Sequence, residues 1–359
     1  MRNLIDVEKA LNLKNAVFID VRSPKEYNEA TIPKSVNIPL LDDEERAIIG
    51  KVYRKKSIDE AKSLGLRYAS PKLENIYNEI QNLKKLYENI VIFCWRGGMR
   101  SRSVCSILNM MNIGNVYQLK GGYKAYRRYV FNFLKNEVSN YKFITLHGLT
   151  GVGKTSILYE LSKNNIPTIN LEDMAKNSGS VFGNLFFEGD SPSQKEFESL
   201  IFNKLYFNNK GYVILESESK RIGNVNIPDS VMQSMNGGYH ILIQTNLNNR
   251  IQNIYKDYTK IKTNLDERII SAISHLKKRL GNENVQMLIE KVQCKEYEFV
   301  IEFLIKEYYD PLYKYSINKI KKYDLTINYD DIQEAVTEVK AFIKDNKLYE
   351  SRKGKTDEF

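Results

Sequence analysis

Tyr141-Lys142-Phe143-Ile144-Thr145-Leu146-His147-Gly148-Leu149-Thr150-Gly151-Val152-Gly153-Lys154-Thr155 sets an apolar run directly before a glycine-rich turn and a Lys-Thr pair. The run reads as a buried strand, and Ser156-Ile157-Leu158-Tyr159-Glu160-Leu161 continues it as a helix. Gly148-x4-Gly153-Lys154-Thr155 matches the Walker A pattern in full and in its required strand-to-helix setting. Gly148, Thr150, Gly151, Val152, Gly153, Lys154 and Thr155 are therefore the expected diphosphate-binding residues, with Thr155 able to ligate Mg2+ if the ligand is a nucleotide. Strand, loop and helix in this order select an α/β fold with a parallel sheet.

Downstream, Ile166–Leu171, Gly211–Glu216 and Tyr239–Gln244 read as further strands of that sheet. From Asn248 to about Lys347 the apolar residues recur at helical spacing, which predicts a helical C-terminal region, and residues 348–359 read as a disordered tail. Upstream lies a second strand-and-loop pattern. Ala16–Arg22 and Asn89–Cys94 are short apolar runs with polar ends, separated by a mixed helical stretch, and Val116–Leu119 is a third run before Lys120-Gly121-Gly122-Tyr123. A helix from about Gly122 to Val138 closes this part. The expected domains are residues 1–135, 140–247 and 248–347, followed by the tail.

Phe93-Cys94-Trp95-Arg96-Gly97-Gly98-Met99-Arg100-Ser101 is a second anion cradle. Its two glycines let successive backbone N–H groups turn inward as a nest. Arg96, Arg100 and the N-terminal end of the following helix add positive charge, so Cys94 is expected to ionise readily and to act as the nucleophile, with Trp95, Arg96, Gly97, Gly98, Met99 and Arg100 as the anion loop. Cys105 and Cys294 have no such setting and read as small hydrophobes. The three cysteines and the scattered His147, His240 and His275 fit no metal-ligand spacing, and no metal site is assigned.

Of the 359 residues 42% are hydrophobic, and no run approaches the roughly 18 apolar residues needed to span a bilayer. With no signal-peptide pattern at Met1-Arg2-Asn3-Leu4-Ile5-Asp6, the chain is expected to be soluble and cytoplasmic, without a membrane partner. A formal net charge of +10 favours a polyanionic partner, although a lysine-rich proteome would give the same balance. At the end of the strand Gly211–Glu216 a nucleotide hydrolase would place an Asp to hold Mg2+ through water. The best candidates here are Glu216 and Glu218, which also read as a solvated strand end.

Asp20-Val21-Arg22-Ser23-Pro24-Lys25-Glu26-Tyr27, Ile32-Pro33, Asn37-Ile38-Pro39-Leu40 and the Cys94 loop resemble a rhodanese domain. That resemblance implies a Cys94 that carries sulfur or selenium. The five residues between Cys94 and Arg100 are one more than sulfurtransferases of that family usually show and equal the related dual-specificity phosphatases, which suits a tetrahedral anion. Across nearly the whole chain, Gly121–Arg127, Leu171-Glu172-Asp173-Met174-Ala175, Gly179-Ser180-Val181-Phe182-Gly183, Glu216–Gly223 and Tyr308–Tyr313 resemble the tRNA 2-selenouridine synthase family.

The family resemblance implies replacement of sulfur by selenium in wobble 2-thiouridine of tRNA, with selenophosphate and geranyl diphosphate as substrates and an S-geranyl intermediate. It implies as partners a tRNA bearing 2-thiouridine and an enzyme that supplies selenophosphate. On this reading the Cys94 nest handles selenophosphate and the Lys154 loop holds geranyl diphosphate. Glu172, Ser180, Phe182, Glu216, Glu218 and Arg221 are second-site polar or prenyl contacts, with Phe186 and Phe187 joining Phe182 at the prenyl slot. Asn177-Ser178 stands where the family usually has His-Arg, and Ala30-Thr31-Ile32-Pro33-Lys34-Ser35 where Gly-His-Ile-Pro-Gly-Ala is common. Lys277-Lys278-Arg279 and Lys319, Lys321 and Lys322 are candidate tRNA contacts. Two other readings fit the motifs: a cysteine phosphatase or sulfurtransferase with an accessory nucleotide domain, and a nucleotide-controlled RNA-binding protein without catalysis.

Overall fold

The computed structural model describes residues 3–55, 57–178, 187, 189–259, 264–318 and 320–348. They form two units divided between Phe133 and Leu134. In the first, β1 (Leu4–Ile5), β2 (Ala16–Asp20), β3 (Val36–Asn37), β4 (Asn89–Phe93) and β5 (Val116–Leu119) form a parallel sheet in the order β1-β5-β4-β2-β3. Ile90, Val91, Ile92 and Phe93 are all buried, as a central parallel strand covered on both faces requires. The register Asp20↔Phe93 ends β2 and β4 at the same level. Arg22 and Cys94 therefore leave the sheet at one edge. Ile76 and Ile80, four residues apart on the helix Leu73–Lys84, and Val104 and Leu108 on the helix Met99–Met110, close the core over Val17, Ile19 and Ile92.

The second unit contains β6 (Lys142–His147), β7 (Thr168–Ile169), β8 (Tyr212–Glu216), the antiparallel pair β9 (Arg221–Ile222) and β10 (Val225–Asn226), β11 (Tyr239–Gln244) and β12 (Leu325–Asn328). Its main sheet is parallel, ordered β12-β11-β6-β8-β7. Ile157, Leu158 and Leu161 of the helix Lys154–Lys163 and Ala335, Val336, Val339 and Ile343 of the helix Ile332–Asp345 share one core with Ile144, Ile214, Ile241 and Ile327. A second core of helices, among them Leu265–Ser274, Asn282–Gln293 and Tyr297–Leu304, is built around Ile273, Leu288 and Val300.

The α/β class with a largely helical C-terminal extension is as the sequence predicts, with one correction after residue 248. The segment is not purely helical, because Leu325–Asn328 returns as the edge strand of the main sheet. Only Ile327 of its four residues is fully buried, so no apolar run marks it. The strand expected over 166–171 is paired only at Thr168–Ile169, since it too lies at an edge and Pro167 has no N–H to donate. Residues 349–359 of the expected tail lie outside the described residues.

Candidate functional site

Cys94 follows the last residue of β4, is 3% exposed, and sets its Sγ 3.2 Å from the Ser101 Oγ in the first turn of the next helix. Gln118 of β5 donates from its Nε2 to the Ser101 Oγ at 3.1 Å and to the Gly97 carbonyl at 2.8 Å, fixing the loop from the neighbouring strand. The Gly121-Gly122 turn packs directly beneath. A Cβ on Gly122 would lie 2.1 Å from the Cys94 carbonyl oxygen and 2.4 Å from the Gly97 nitrogen, and one on Gly97 2.8 Å from the Leu119 oxygen. Both glycines also have positive φ, +58° and +64°. The N–H groups of Tyr123 and Lys124 donate to the Cys94 and Trp95 carbonyls, each at 2.9 Å. Those carbonyls are thereby consumed behind the loop, leaving its front to amides and cations.

Arg100 forms a two-point ion pair with Glu26, at 2.6 and 3.3 Å. Glu26 also closes the capping box of Ser23. Burial pushes the Glu26 carboxyl up, but Arg100 outweighs it, with Arg46 adding to the effect, and the group lies below its usual range. Arg96, by contrast, is exposed and has no ion-pair partner among the described residues, so it is the loop's available cation. At the same sheet edge the buried Arg22 grips Asp20 through 2.9 and 2.6 Å bonds, donates to the Ala30 carbonyl at 2.8 Å, and lies 4.2 Å from the Tyr123 ring centre. Burial pushes the Cys105 thiol up to about 12, the neighbouring Cys94 adding to it, in keeping with an inert core cysteine.

The Walker loop is shaped by side chains that lie far along the chain. Arg250 Nε donates to the Thr150 carbonyl at 2.9 Å, Asn253 Nδ2 to the Gly151 carbonyl at 2.9 Å, and the Tyr329 hydroxyl to the Val152 carbonyl at 3.0 Å. These three carbonyls are drawn to the protein side and the Val152 N–H donates to the Leu149 carbonyl at 3.4 Å, which leaves the other loop amides to face an anion. Asp310 locks Arg250 in turn, through bonds of 3.0 and 2.5 Å. Gly153 has φ +72°, and a Cβ there would lie 2.8 Å from the Tyr329 hydroxyl. Lys154 Nζ donates to the Gly148 carbonyl at 3.0 Å.

Carboxylates crowd the same place. Glu172 lies near Lys154, Glu218 and Thr155, and burial pushes its carboxyl up. Glu216, 1% exposed at the end of β8, accepts the Glu172 N–H on Oε1 at 2.9 Å, while its Oε2 has no partner among the described residues. Burial, then the charge of Glu172, pushes the Glu216 carboxyl up to about 8. Burial and the other two glutamates push Glu218 up as well. With its carboxyl at about 8, Glu216 keeps a proton at neutral pH. Among the described residues no three His, Cys, Asp or Glu side chains are placed to hold a metal ion.

Behind β6, His147 Nε2 and His240 Nδ1 are 2.9 Å apart. Burial, with His240 and Lys154 adding to it, brings the His147 pKa down to about 3. The pair lines a cavity of about 530 Å³ with Thr145, Glu218, Met235 and Lys321.

Residues 141–347 match the family model described as the tRNA 2-selenouridine synthase AAA domain, and residues 4–129 match the rhodanese-like domain. A tRNA 2-selenouridine synthase of Hydrogenovibrio crunogenus is 32% identical over 91% of this chain and 96% of its own length. The chain belongs to the tRNA 2-selenouridine synthase family. A second member, from Nitrosomonas europaea, is 29% identical over 88% of this chain and 92% of its own. No helix among the described residues is long and apolar enough to cross a membrane.

Of the residues that the sequence singled out, Lys154, Thr155, Glu172, Glu216 and Glu218 come together around the Walker loop. The solvated strand end is the reading of Glu216 that the structure overturns, because the strand carries it under the sheet edge. Arg221 is exposed and donates to the Gly223 carbonyl at 2.9 Å in its own β9–β10 turn. Asn177 is buried and packs against Gly223, where a Cβ would lie 2.8 Å from its Nδ2. Ser180, Phe182 and Phe186, like Lys319, lie outside the described residues, while Phe187 is half-buried. Lys277, Lys278, Arg279, Lys321 and Lys322 are exposed.

Sequence reasoning missed Glu26, Gln118, Arg250, Asn253, Tyr329 and the meeting of two histidines. Only Glu26 had a local signal, the Ser23-x-x-Glu26 capping pattern.

Proposed function

We propose that this chain modifies tRNA, converting wobble 2-thiouridine to 2-selenouridine by way of an S-geranyl intermediate. The observation that carries the reading is the presence, in one member of this family, of two anion cradles of different chemistry. One holds a buried thiol and an exposed arginine. The other holds a lysine, a hydroxyl and a cluster of glutamates. The Lys154 loop binds the diphosphate of geranyl diphosphate, and Mg2+ arriving with it would meet Thr155 and Glu172. The thiouridine sulfur attacks C1 of the prenyl chain: an S–C bond forms, the C–O bond breaks, diphosphate departs into the loop amides, and the N3 proton passes to the departing diphosphate. Alkylation makes sulfur a good leaving group. The selenium of hydrogen selenophosphate, whose tetrahedral anion suits the Cys94 nest and Arg96, then attacks C2: a C–Se bond forms, the C–S bond breaks, and geranylthiol leaves with the selenophosphate proton; water next cleaves the P–Se bond, phosphate departs, and N3 regains its proton.

The test is mass spectrometry of nucleosides from 2-thiouridine tRNA incubated with the protein, geranyl diphosphate and selenophosphate. Wild type is expected to yield 2-selenouridine. Cys94→Ala should stop at the geranylated base, and Lys154→Ala should leave 2-thiouridine yet still selenate a tRNA supplied already geranylated. A Lys154→Ala protein that geranylates normally but fails to selenate the geranylated tRNA would reverse the assignment of the two cradles. Unchanged thiouridine with folded wild type would overturn the reading and favour the phosphatase or the binding protein.

A further inference from the structure

At the carboxyl ends of β11 and β12 lies a cavity of about 570 Å³ whose walls include Leu149 and Val152 of the Walker loop and Ile317. Most of the polar side chains around it are already engaged within the protein. Thr245 donates to the Tyr329 carbonyl at 2.7 Å and Asn246 to the Asp330 carboxylate at 3.0 Å, while the Glu334 carboxylate accepts the Asp330 N–H at 3.1 Å. Arg250 is held by Asp310 and Thr150. Two carboxamides remain. Gln244 and Asn328 line the cavity, are exposed, and have no hydrogen-bond partner for their side chains among the described residues. They are register partners, Gln244↔Asn328, in adjacent parallel strands. Register partners project to the same face about 5 Å apart.

We propose that this cavity receives the target base of the tRNA and that Gln244 and Asn328 read its Watson–Crick edge, a proposal that rests on the tRNA reading above. A uracil-type edge presents acceptor, N–H donor and acceptor in a row. Two neighbouring carboxamides supply the complement: one offers its NH2 to O4 and its carbonyl to N3–H, and the other offers its NH2 to the 2-sulfur or 2-selenium. The walls from Leu149, Val152 and Ile317 cover the faces of an unstacked base, as single-stranded RNA recognition requires. Because Leu149 and Val152 belong to the diphosphate loop itself, a base seated here is held beside the loop that binds the alkylating substrate. The carbonyl that accepts N3–H also monitors the proton that S-alkylation must release, so the site distinguishes the unalkylated base from the alkylated one.

The experiment measures binding of the full chain to an anticodon stem-loop RNA carrying 2-thiouridine and to the same RNA carrying 3-methyl-2-thiouridine, which lacks N3–H. Wild type is expected to bind the unmethylated RNA about tenfold more tightly. Gln244→Glu and Asn328→Asp, which keep shape but lose the NH2 donated to O4 or to the 2-sulfur, should each weaken binding of the unmethylated RNA about tenfold, with unchanged melting temperature. Wild type indifferent to N3 methylation overturns the pocket, whether or not the variants fold. So does normal binding and conversion by both variants, an outcome that leaves the tRNA reading standing. Wild type that fails to bind the RNA overturns both. ADP binding that needs Lys154 and is lost in both variants reassigns the cavity to the base of a mononucleotide.

Discussion

The two loops solve the same problem, holding an anion on backbone amides, by opposite means. The Cys94 loop is fixed from behind by its own unit: Gly122 docks against the Cys94 carbonyl, Gln118 ties Gly97 and Ser101, and Glu26 neutralises Arg100. Its charges are nearly settled before any substrate arrives. The Walker loop is shaped just as firmly, by Arg250, Asn253 and Tyr329 on three successive carbonyls. Its front, however, is electrostatically unsettled: three glutamates lie near Lys154 and Thr155, and one buried carboxylate oxygen has no partner among the described residues. A rigid cradle with one spare arginine suits a small anion that must be held beside a thiol. An acidic cluster whose carboxyls burial pushes up suits a site whose charge is completed only when ligand and counter-ion arrive.

The largest break in this comparison should come from Gly122→Ala. The new Cβ would overlap the Cys94 carbonyl at 2.1 Å, against backbone that has no rotamer with which to yield, and at φ +58°. A loss of more than about 3 kcal/mol in urea unfolding is expected, together with loss of selenation. Gly98→Ala, with nothing within 4 Å of the new methyl and φ −91°, should stay within about 0.5 kcal/mol. Equal losses for the two would mean that the loop is not docked on the glycine turn.

A smaller and sharper contrast separates the loop's two arginines. Arg100→Ala strands the half-buried Glu26 without its partner, and a cost of about 1–3 kcal/mol is expected at neutral pH. The Glu26 pKa lies below its ordinary value, so the pair's stabilisation is present above about pH 4.5 and is lost as the pH falls through the lowered value, where wild type and variant should converge. Arg96→Ala should leave stability alone and raise the KM for selenophosphate about tenfold with little change in kcat. Urea titrations at pH 7 and pH 3, beside steady-state kinetics, resolve the two roles. An Arg96 variant as unstable as the Arg100 variant would dissolve the distinction.

The contrast also explains what the sequence made legible. Elements buried on both faces, such as Ile90–Phe93 and Tyr212–Glu216, announce themselves as apolar runs, and each cradle is written in consecutive residues next to one of these runs or to the similar run of β6. What shapes the cradles is not consecutive. Arg250, Asn253 and Tyr329 reach the Walker loop from 100, 102 and 177 residues away. Their side chains are common types with no spacing to mark them. β12 escaped notice for a related reason, because an edge strand needs only one buried residue to pair. Glu216 reads both as a site residue and as a solvated strand end, because a carboxylate after an apolar run is usually solvated and the Glu172 N–H that it accepts comes from 44 residues away.

That burial has a consequence for the whole unit. With its carboxyl raised to about 8 in the folded chain against 4.5 as the ordinary value, Glu216 binds more protons folded than unfolded between those limits. Stability must therefore fall as pH rises from about 4.5 to 8, and level off above. Glu216→Gln keeps an oxygen to accept the Glu172 N–H while removing the titration, so its melting temperature should gain on wild type steadily across that window and match it near pH 4.5. Diphosphate with Mg2+ should narrow the gap at pH 8 by bringing counter-charge to the cluster, which Lys154→Ala would prevent. Parallel melting curves for wild type and Glu216→Gln at every pH would show that the cluster is settled without a ligand, and the two loops would then differ in sequence but not in electrostatic design.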